Sequence, residues 1–220
     1  ADVQDDDTYE FKWQTANLEI DAGTYTVYAV SAPRDKDHLS DAQYDTVSLV
    51  IKKPYIQATA SASVVAKGDK LYLRGTAEGD PSKGVAIWIL GKNKVLYATE
   101  SVNDDMSFEH EIKSATTSSL YAGQYFVVIQ HPMYNNEFDV YPDNPLEPQY
   151  VYGSYPTRNS QIFKVGGSGA LQGTDAAEAL IQAINSPMVD DTYTKMQFLV
   201  EEPKVTINPI GEQAVGSKFE

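Results

Sequence analysis

The sequence predicts an all-β fold in which two faced sheets form a unit that recurs along the chain. Three observations carry that expectation. The composition suits strands, with 15 Tyr, abundant Val and Thr, and no Cys among 220 residues. Short apolar runs, some alternating and some continuous, are bounded by Gly, Pro and Asp. Whole segments return further along in the same order.

The recurring segments come first because they set the domain boundaries. Leu18–Ser31, LEIDAGTYTVYAVS, returns as Leu120–His131, LYAGQYFVVIQH, with Ala22, Gly23 and Tyr25 on Ala122, Gly123 and Tyr125. Each Gly is expected to open a turn. Thr46–Pro54, TVSLVIKKP, matches Lys195–Pro203, KMQFLVEEP, as an apolar strand followed by a charged pair and a proline. Ala66–Leu71, AKGDKL, matches Ala214–Phe219, AVGSKF. The last two matches give a repeat of about 150 residues. Residues 1–53 then read as the C-terminal part of one repeat, 54–202 as a complete one and 203–220 as the start of the next, so that the chain is expected to be cut from a longer array.

Within the complete repeat, strands are expected at Tyr55–Val65, Lys70–Glu78, Val85–Leu90, Val95–Val102, Ser107–Ile112, Gln124–His131 and Tyr193–Glu201. That number and spacing suit an immunoglobulin-like β-sandwich. Leu71, Leu73, Ile87, Ile89, Phe108, Ile112, Phe126, Val128, Phe198 and Val200 are the expected shared core, and Trp88 fits either side of its sheet.

Residues 132–191, between the last two strands, form an insertion far longer than a hairpin loop. It holds one expected α-helix, at about 175–185. Asp175 and Glu178 have capping-box spacing, Ala177, Leu180, Ile181 and Ile184 make an apolar stripe, and Asn185-Ser186-Pro187 ends it. Val165–Gly169, VGGSG, is expected to be a flexible lead. From Pro132 to Pro156 the insertion concentrates Tyr134, Phe138, Tyr141, Tyr150, Tyr152 and Tyr155 among prolines. Aromatic, proline-stiffened surfaces bury much area at low entropic cost, so these six are the candidate interface, with lattice contact, sugar stacking and simple cover for the parent domain all left open.

The charge excludes one class of partner. A formal net charge of −14 repels phosphate backbones, so nucleic acid is not expected. No apolar run reaches the length of a membrane span. His38, His110 and His131 lack metal-ligand spacing, and no cysteine can complete a zinc set. Gly167-Ser168-Gly169 is neither a nucleophile elbow nor a phosphate loop. Acidic residues gather at Asp5-Asp6-Asp7, at Asp35, Asp37 and Asp41, at Asp104-Asp105 and at Asp190-Asp191, but none forms an EF-hand loop and no pair stands out for glycoside hydrolysis. Solvated turns are their default reading. No catalytic residue, cofactor-binding residue or metal ligand is therefore assigned; a divalent cation such as calcium is the one ligand left open, and no enzyme is expected.

DAGTYTVYAVS at Asp21–Ser31, VAKGDKLYLRGTAEGDPSKGVAIWILGKN at Val65–Asn93 and GTDAAEALIQAINSPMVDDTYTKMQFLVEEP at Gly173–Pro203 together resemble methanogen S-layer glycoproteins. The resemblance implies a secreted archaeal cell-envelope subunit, built of tandem immunoglobulin-like domains, that assembles with copies of itself into a porous surface coat. One departure is plain: Asn159 precedes Ser160-Gln161 and Asn185 precedes Ser186-Pro187, so no N-x-Ser/Thr sequon carries the family's glycosylation over. The family's membrane anchor is expected beyond Glu220. The function expected is mechanical, with Lys-Lys-Pro and Glu-Glu-Pro junctions setting the angle between neighbours. The alternative is an extracellular adhesin or carbohydrate-binding module that uses the tyrosine-rich loop as its platform.

Overall fold

A computed structural model describes residues 4–13, 20, 22–35, 37–155, 157, 159–205, 211, 212 and 215. Apart from Val215, the second copy of the Ala66–Leu71 segment lies outside the described residues, as do Leu18, Glu19 and Asp21 of the first repeat match and Pro156 of the tyrosine-rich loop.

The chain is mostly β, in several sheets. Strands β1 (Gly23–Val30) and β2 (Tyr44–Ile51) form an antiparallel hairpin by themselves. The strands β3 (Ile56–Ala60), β4 (Val64–Ala66), β5 (Leu71–Ala77), β6 (Val85–Gly91), β7 (Lys94–Glu100), β8 (Ser107–Ile112), β9 (Gly123–His131) and β13 (Thr192–Glu201) build two sheets. One has the order β3-β5-β8, the other β4-β13-β9-β6-β7, with β4 parallel to β13 and the remaining neighbours antiparallel. Leu71, Leu73, Phe108 and Ile112 of the first sheet share one buried core with Ile87, Ile89, Tyr125, Val127, Ile129 and Phe198 of the second. Two sheets packed on a common apolar layer make an all-β sandwich.

The span expected as one strand from Tyr55 to Val65 is two. β3 pairs with β5 in one sheet and β4 with β13 in the other, and the small residues Ser61, Ala62 and Ser63 carry the chain across. Ser61 N donates to Tyr72 O on one side, while Ser63 O accepts from Leu199 N on the other. Periodicity cannot show such a crossing, because both halves are strand-like.

A second core lies on the opposite face of the five-stranded sheet. Trp88, Leu90 and Val128 there pack against Val140, Val151 and Val165 of the insertion and against Ala176, Ala177, Leu180 and Ile184 of helix α2 (Gly173–Ile184). Phe126 and Val128, expected in the shared core, belong to this second one, and their neighbours Tyr125, Val127 and Ile129 take the inner places. The correction has a simple cause: β9 is apolar on both faces, so alternation gives no parity. Burial on both sides also explains β6, in which every residue from Val85 to Gly91 is buried. Trp88 sits on the helix side and donates its indole N–H to Gln130 Oε1 at 3.1 Å.

Helix α2 begins two residues before the expected start. Gln172 is its N-cap, with extended backbone and no side-chain cap bond, so Asp175 acts as a first-turn carboxylate facing the helix dipole rather than as the cap. The Gln172 side chain instead donates to Asn93 Oδ1 at 2.8 Å, tying the helix start to the β6–β7 turn. The glycine-rich lead folds back on itself: Leu171 N donates to Lys164 O, and a Cβ on Gly166 would lie 2.4 Å from Pro148 O.

Three further strands in the insertion, β10 (Val140–Pro142), β11 (Tyr150–Gly153) and β12 (Ser160–Lys164), form a small antiparallel sheet. A short helix, α1 (Ser114–Ser119), fills the corner between β8 and β9. Its buried Thr117 donates from Oγ1 to Asp69 O and accepts from Gly68 N. Just after it, Tyr125 stacks on Phe198 with ring centroids 5.4 Å apart and donates its hydroxyl to Tyr121 O.

The two long antiparallel pairs share a register. Gly23, Thr24 and Tyr25 face Ile51, Val50 and Leu49, while Gly123, Gln124 and Tyr125 face Val200, Leu199 and Phe198. These are the positions the two sequence matches equate, and each Gly starts a strand rather than a turn. The connection is residues 31–43 in the first pair and the insertion, residues 132–191, in the second.

Candidate functional site

Two places in the insertion gather chemistry-bearing side chains. The first is where the insertion leaves β9 and returns to β13. Asp139 immediately precedes β10, and Asp190 and Asp191 immediately precede β13; one carboxylate oxygen from each lies within 4.8 Å of those of the others. Asp139 and Asp191 are buried and Asp190 half-buried.

Backbone geometry holds the three in place. Asp191 Oδ2 accepts from Asp139 N at 2.8 Å and from Gln130 Nε2 at 2.6 Å, and Gln130 Nε2 also donates to Val140 O at 3.0 Å. Asp190 accepts from Tyr134 N and Asn135 N through Oδ2, and from Asn135 Nδ2 through Oδ1. Asp190 N donates to Asp139 Oδ2. Asp191 Oδ1 is buried and has no hydrogen-bond partner among the described residues. Burial, together with the Asp139 and Asp190 charges, pushes the Asp191 carboxyl up to about 7, although the bonds from Gln130 and Asp139 oppose the shift. Burial likewise raises Asp190. Tyr97, packed edge-on against Trp88, is pushed up to about 12 by burial first and by the Asp191 charge second.

Close by, His131 is fully buried. Its Nδ1 accepts from Met133 N at 2.9 Å, which puts the ring proton on Nε2, 2.9 Å from Glu78 O. Burial lowers its pKa, against the favourable bond to that carbonyl. Both nitrogens are thus engaged within the fold.

The second place is the outer face of the small sheet. Tyr141 and Tyr152 are cross-strand partners and Tyr150 lies two residues along β11, so these three share a face, opposite the buried Val140 and Val151. Each is half-buried. Tyr141 Oη donates to Asn159 Oδ1 at 2.8 Å, and Lys164 Nζ stands 5.9 Å from the centre of the Tyr150 ring. Tyr134 and Tyr155 are exposed and Phe138 is half-buried; all three fall outside the small sheet's strands. The structure thus brings three of the six candidate aromatics onto one ledge.

Asp139 and Gln130 were invisible to sequence reasoning as site residues. Asp190-Asp191 stands out in the sequence as an adjacent pair, but its third carboxylate is separated by the whole helix-bearing stretch, and no spacing rule links them. Compared with protein-family models and with curated proteins, the chain matches none.

Proposed function

We propose that this chain is a non-catalytic structural segment of a surface-layer protein, a row of immunoglobulin-like repeats in the extracellular coat of an archaeal cell. The observation that carries the reading is the common register of β1–β2 and β9–β13, in which the same Gly and Tyr face the same apolar positions. Two copies of one strand pair in tandem favour an array whose purpose is to hold position. The strand order supports the immunoglobulin-like assignment: β4 runs parallel beside β13, and Tyr125 at the start of β9 bonds back to Tyr121 O as a tyrosine corner does. On this reading residues 1–53 complete a preceding repeat, 54–202 form a whole one and residues from 203 open the next. Neighbouring repeats and neighbouring copies are the partners.

The apolar face of the hairpin fits the same account, since Val27, Val47 and Leu49 are exposed where their counterparts Val127, Met196 and Phe198 pack in or against the shared core. Electron microscopy of the source cell envelope tests the reading directly. A periodic coat that labels with an antibody to this chain is the expected result; a smooth envelope, or label confined to the cytoplasm, removes it.

The ledge of Tyr141, Tyr150 and Tyr152 favours a second reading, a carbohydrate-binding module, because half-buried aromatics on one sheet face suit sugar rings. Saccharide binding on a glycan array that disappears with Tyr150→Ala or Tyr152→Ala selects that reading over the first.

A further inference from the structure

We propose that Asp139, Asp190 and Asp191 form a cation site that takes one calcium ion between the two ends of the insertion. The proposal does not rest on the surface-layer reading. Two independent observations point to the ion. Oxygens of three carboxylates lie within 4.8 Å of one another, a spread that one ion with metal–oxygen distances of about 2.3–2.6 Å can bridge. Separately, Asp191 is only 8% exposed, and with Oδ2 committed to Gln130 and Asp139 N, its Oδ1 is left inside the protein without a donor.

A buried carboxylate oxygen with no donor is costly, and its closest charged neighbours here repel it. Among the described residues, no Lys, Arg or His forms an ion pair with any of the three acids. A divalent ion supplies both the missing partner and the missing charge. The donors are hard oxygens, the chain has no Cys, and both nitrogens of the nearby His131 are engaged, so the set suits calcium rather than zinc or copper.

The first strand pair shows what the cluster accompanies. By the shared register, the places of Gln130 and Asp191 are taken by Val30 and Ala42 in the copy that lacks the insertion. Asp41 holds the place of Asp190, so Gln130 and Asp191 are the polar members peculiar to the copy with two insertion ends to join. An ion at this point pins the chain leaving β9 to the chain entering β13.

The test uses the full chain, stripped with a chelator and then titrated with calcium chloride. Isothermal titration calorimetry is expected to show one site per chain, and the melting temperature is expected to rise by about 5–10 °C at a hundredfold excess over the dissociation constant. Asp191→Asn keeps the shape and removes the charge. It is expected to weaken calcium binding at least about tenfold, while the calcium-free variant still melts cooperatively. Should that variant fail to fold, Asp190→Asn, at a half-buried position, is expected to show the same loss. Folded wild-type protein with no binding heat and equal melting temperatures in calcium and chelator overturns the proposal and leaves a shared proton at the carboxylates. Binding of undiminished affinity in the folded variants overturns it as well, by placing the ion elsewhere.

Discussion

The β1–β2 hairpin and the β9–β13 pair share a register and differ in nearly everything around them. Phe198 is fully buried, whereas Leu49 in the matching place is 40% exposed and its neighbour Val47 62% exposed. Strand pairing is therefore set by local alternation, while burial is set by the sheet that faces it. The opposite faces differ too. Phe126 and Val128 lie under helix α2, but Thr26 and Tyr28 hold their places in the hairpin, with Thr46 and Ser48 across from Tyr28 and Thr26. The contrast lies in the first strand of each pair, since across from Phe126 and Val128 the second strand carries Gln197 and Lys195, as polar as Ser48 and Thr46. An isolated hairpin is marginal in water, so the comparison also ranks the two pairs by stability.

The largest test of that ranking is Phe198→Ala. Loss of the ring stacked on Tyr125, in the middle of the shared core, is expected to cost about 3–5 kcal/mol in urea unfolding, with the cavity contributing part of it. A cost below about 1 kcal/mol would mean that the shared core is loosely packed, and the contrast with the hairpin would fail.

A smaller effect sharpens the difference between the outward faces. Val128→Thr is nearly isosteric but puts a hydroxyl under the helix, among Trp88, Leu90 and Leu180, and is expected to cost about 1–3 kcal/mol. Tyr28→Thr, its counterpart in the hairpin, is expected to change the midpoint by less than about 0.5 kcal/mol. Equal costs would show that α2 does not seal its face of the sheet.

How much of this was legible in the sequence follows from the range of each signal. Strands β5 to β9 and β13 were readable because their apolar runs are bounded by Gly, Pro and Asp, and α2 because Ala177, Leu180, Ile181 and Ile184 repeat at helical spacing. Short-range pattern could not say which face of β9 meets the other sheet, nor that the chain changes sheets at Ser61–Ser63. Helix α1 lacks any apolar stripe, since its anchor is a buried Thr117 hydroxyl. Strands β10 to β12 are short, interrupted by prolines and one bulge, and stable only against the second core. The tyrosine ledge was half legible: composition marked the residues, but only the pairing of Tyr141 with Tyr152 separates the three that share a face. The acid cluster was hidden for the opposite reason. Its members are ordinary turn aspartates until folding brings Asp139 against Asp191.

A gentler contrast lies in the residue that ends each first strand, His131 in one copy and Ser31 just past β1 in the other. Burial lowers the folded His131 pKa below the ordinary histidine value of about 6.5 that holds in the unfolded chain. Between those values the unfolded chain binds more protons, so stability rises with pH through the window and is lost as pH falls below about 6.5. Asp191, raised to about 7, works in the other direction: it favours the folded state at low pH and loses that contribution as pH climbs toward 7. Urea midpoints for wild type and His131→Gln, measured from pH 8 to pH 5, isolate the histidine by difference. The wild type is expected to lose more stability than the variant over the acid half of the range; parallel curves would mean that the ring is protonated without penalty.

The smallest expected effect is also the one that bears most directly on the comparison. Leu49→Ala removes an apolar side chain from the position that Phe198 fills in the complete pair, yet the exposure of Leu49, Val47 and Val27 leaves little packing to lose. The shift is expected to stay within about 0.5 kcal/mol for the chain alone. A loss above about 1 kcal/mol would point to cover over that face in solution, because a leucine 40% exposed in the chain alone has only part of its transfer energy to surrender. Sedimentation of the same sample then identifies the cover: a second copy would make the loss depend on concentration, whereas folding of the chain back onto its own hairpin would not.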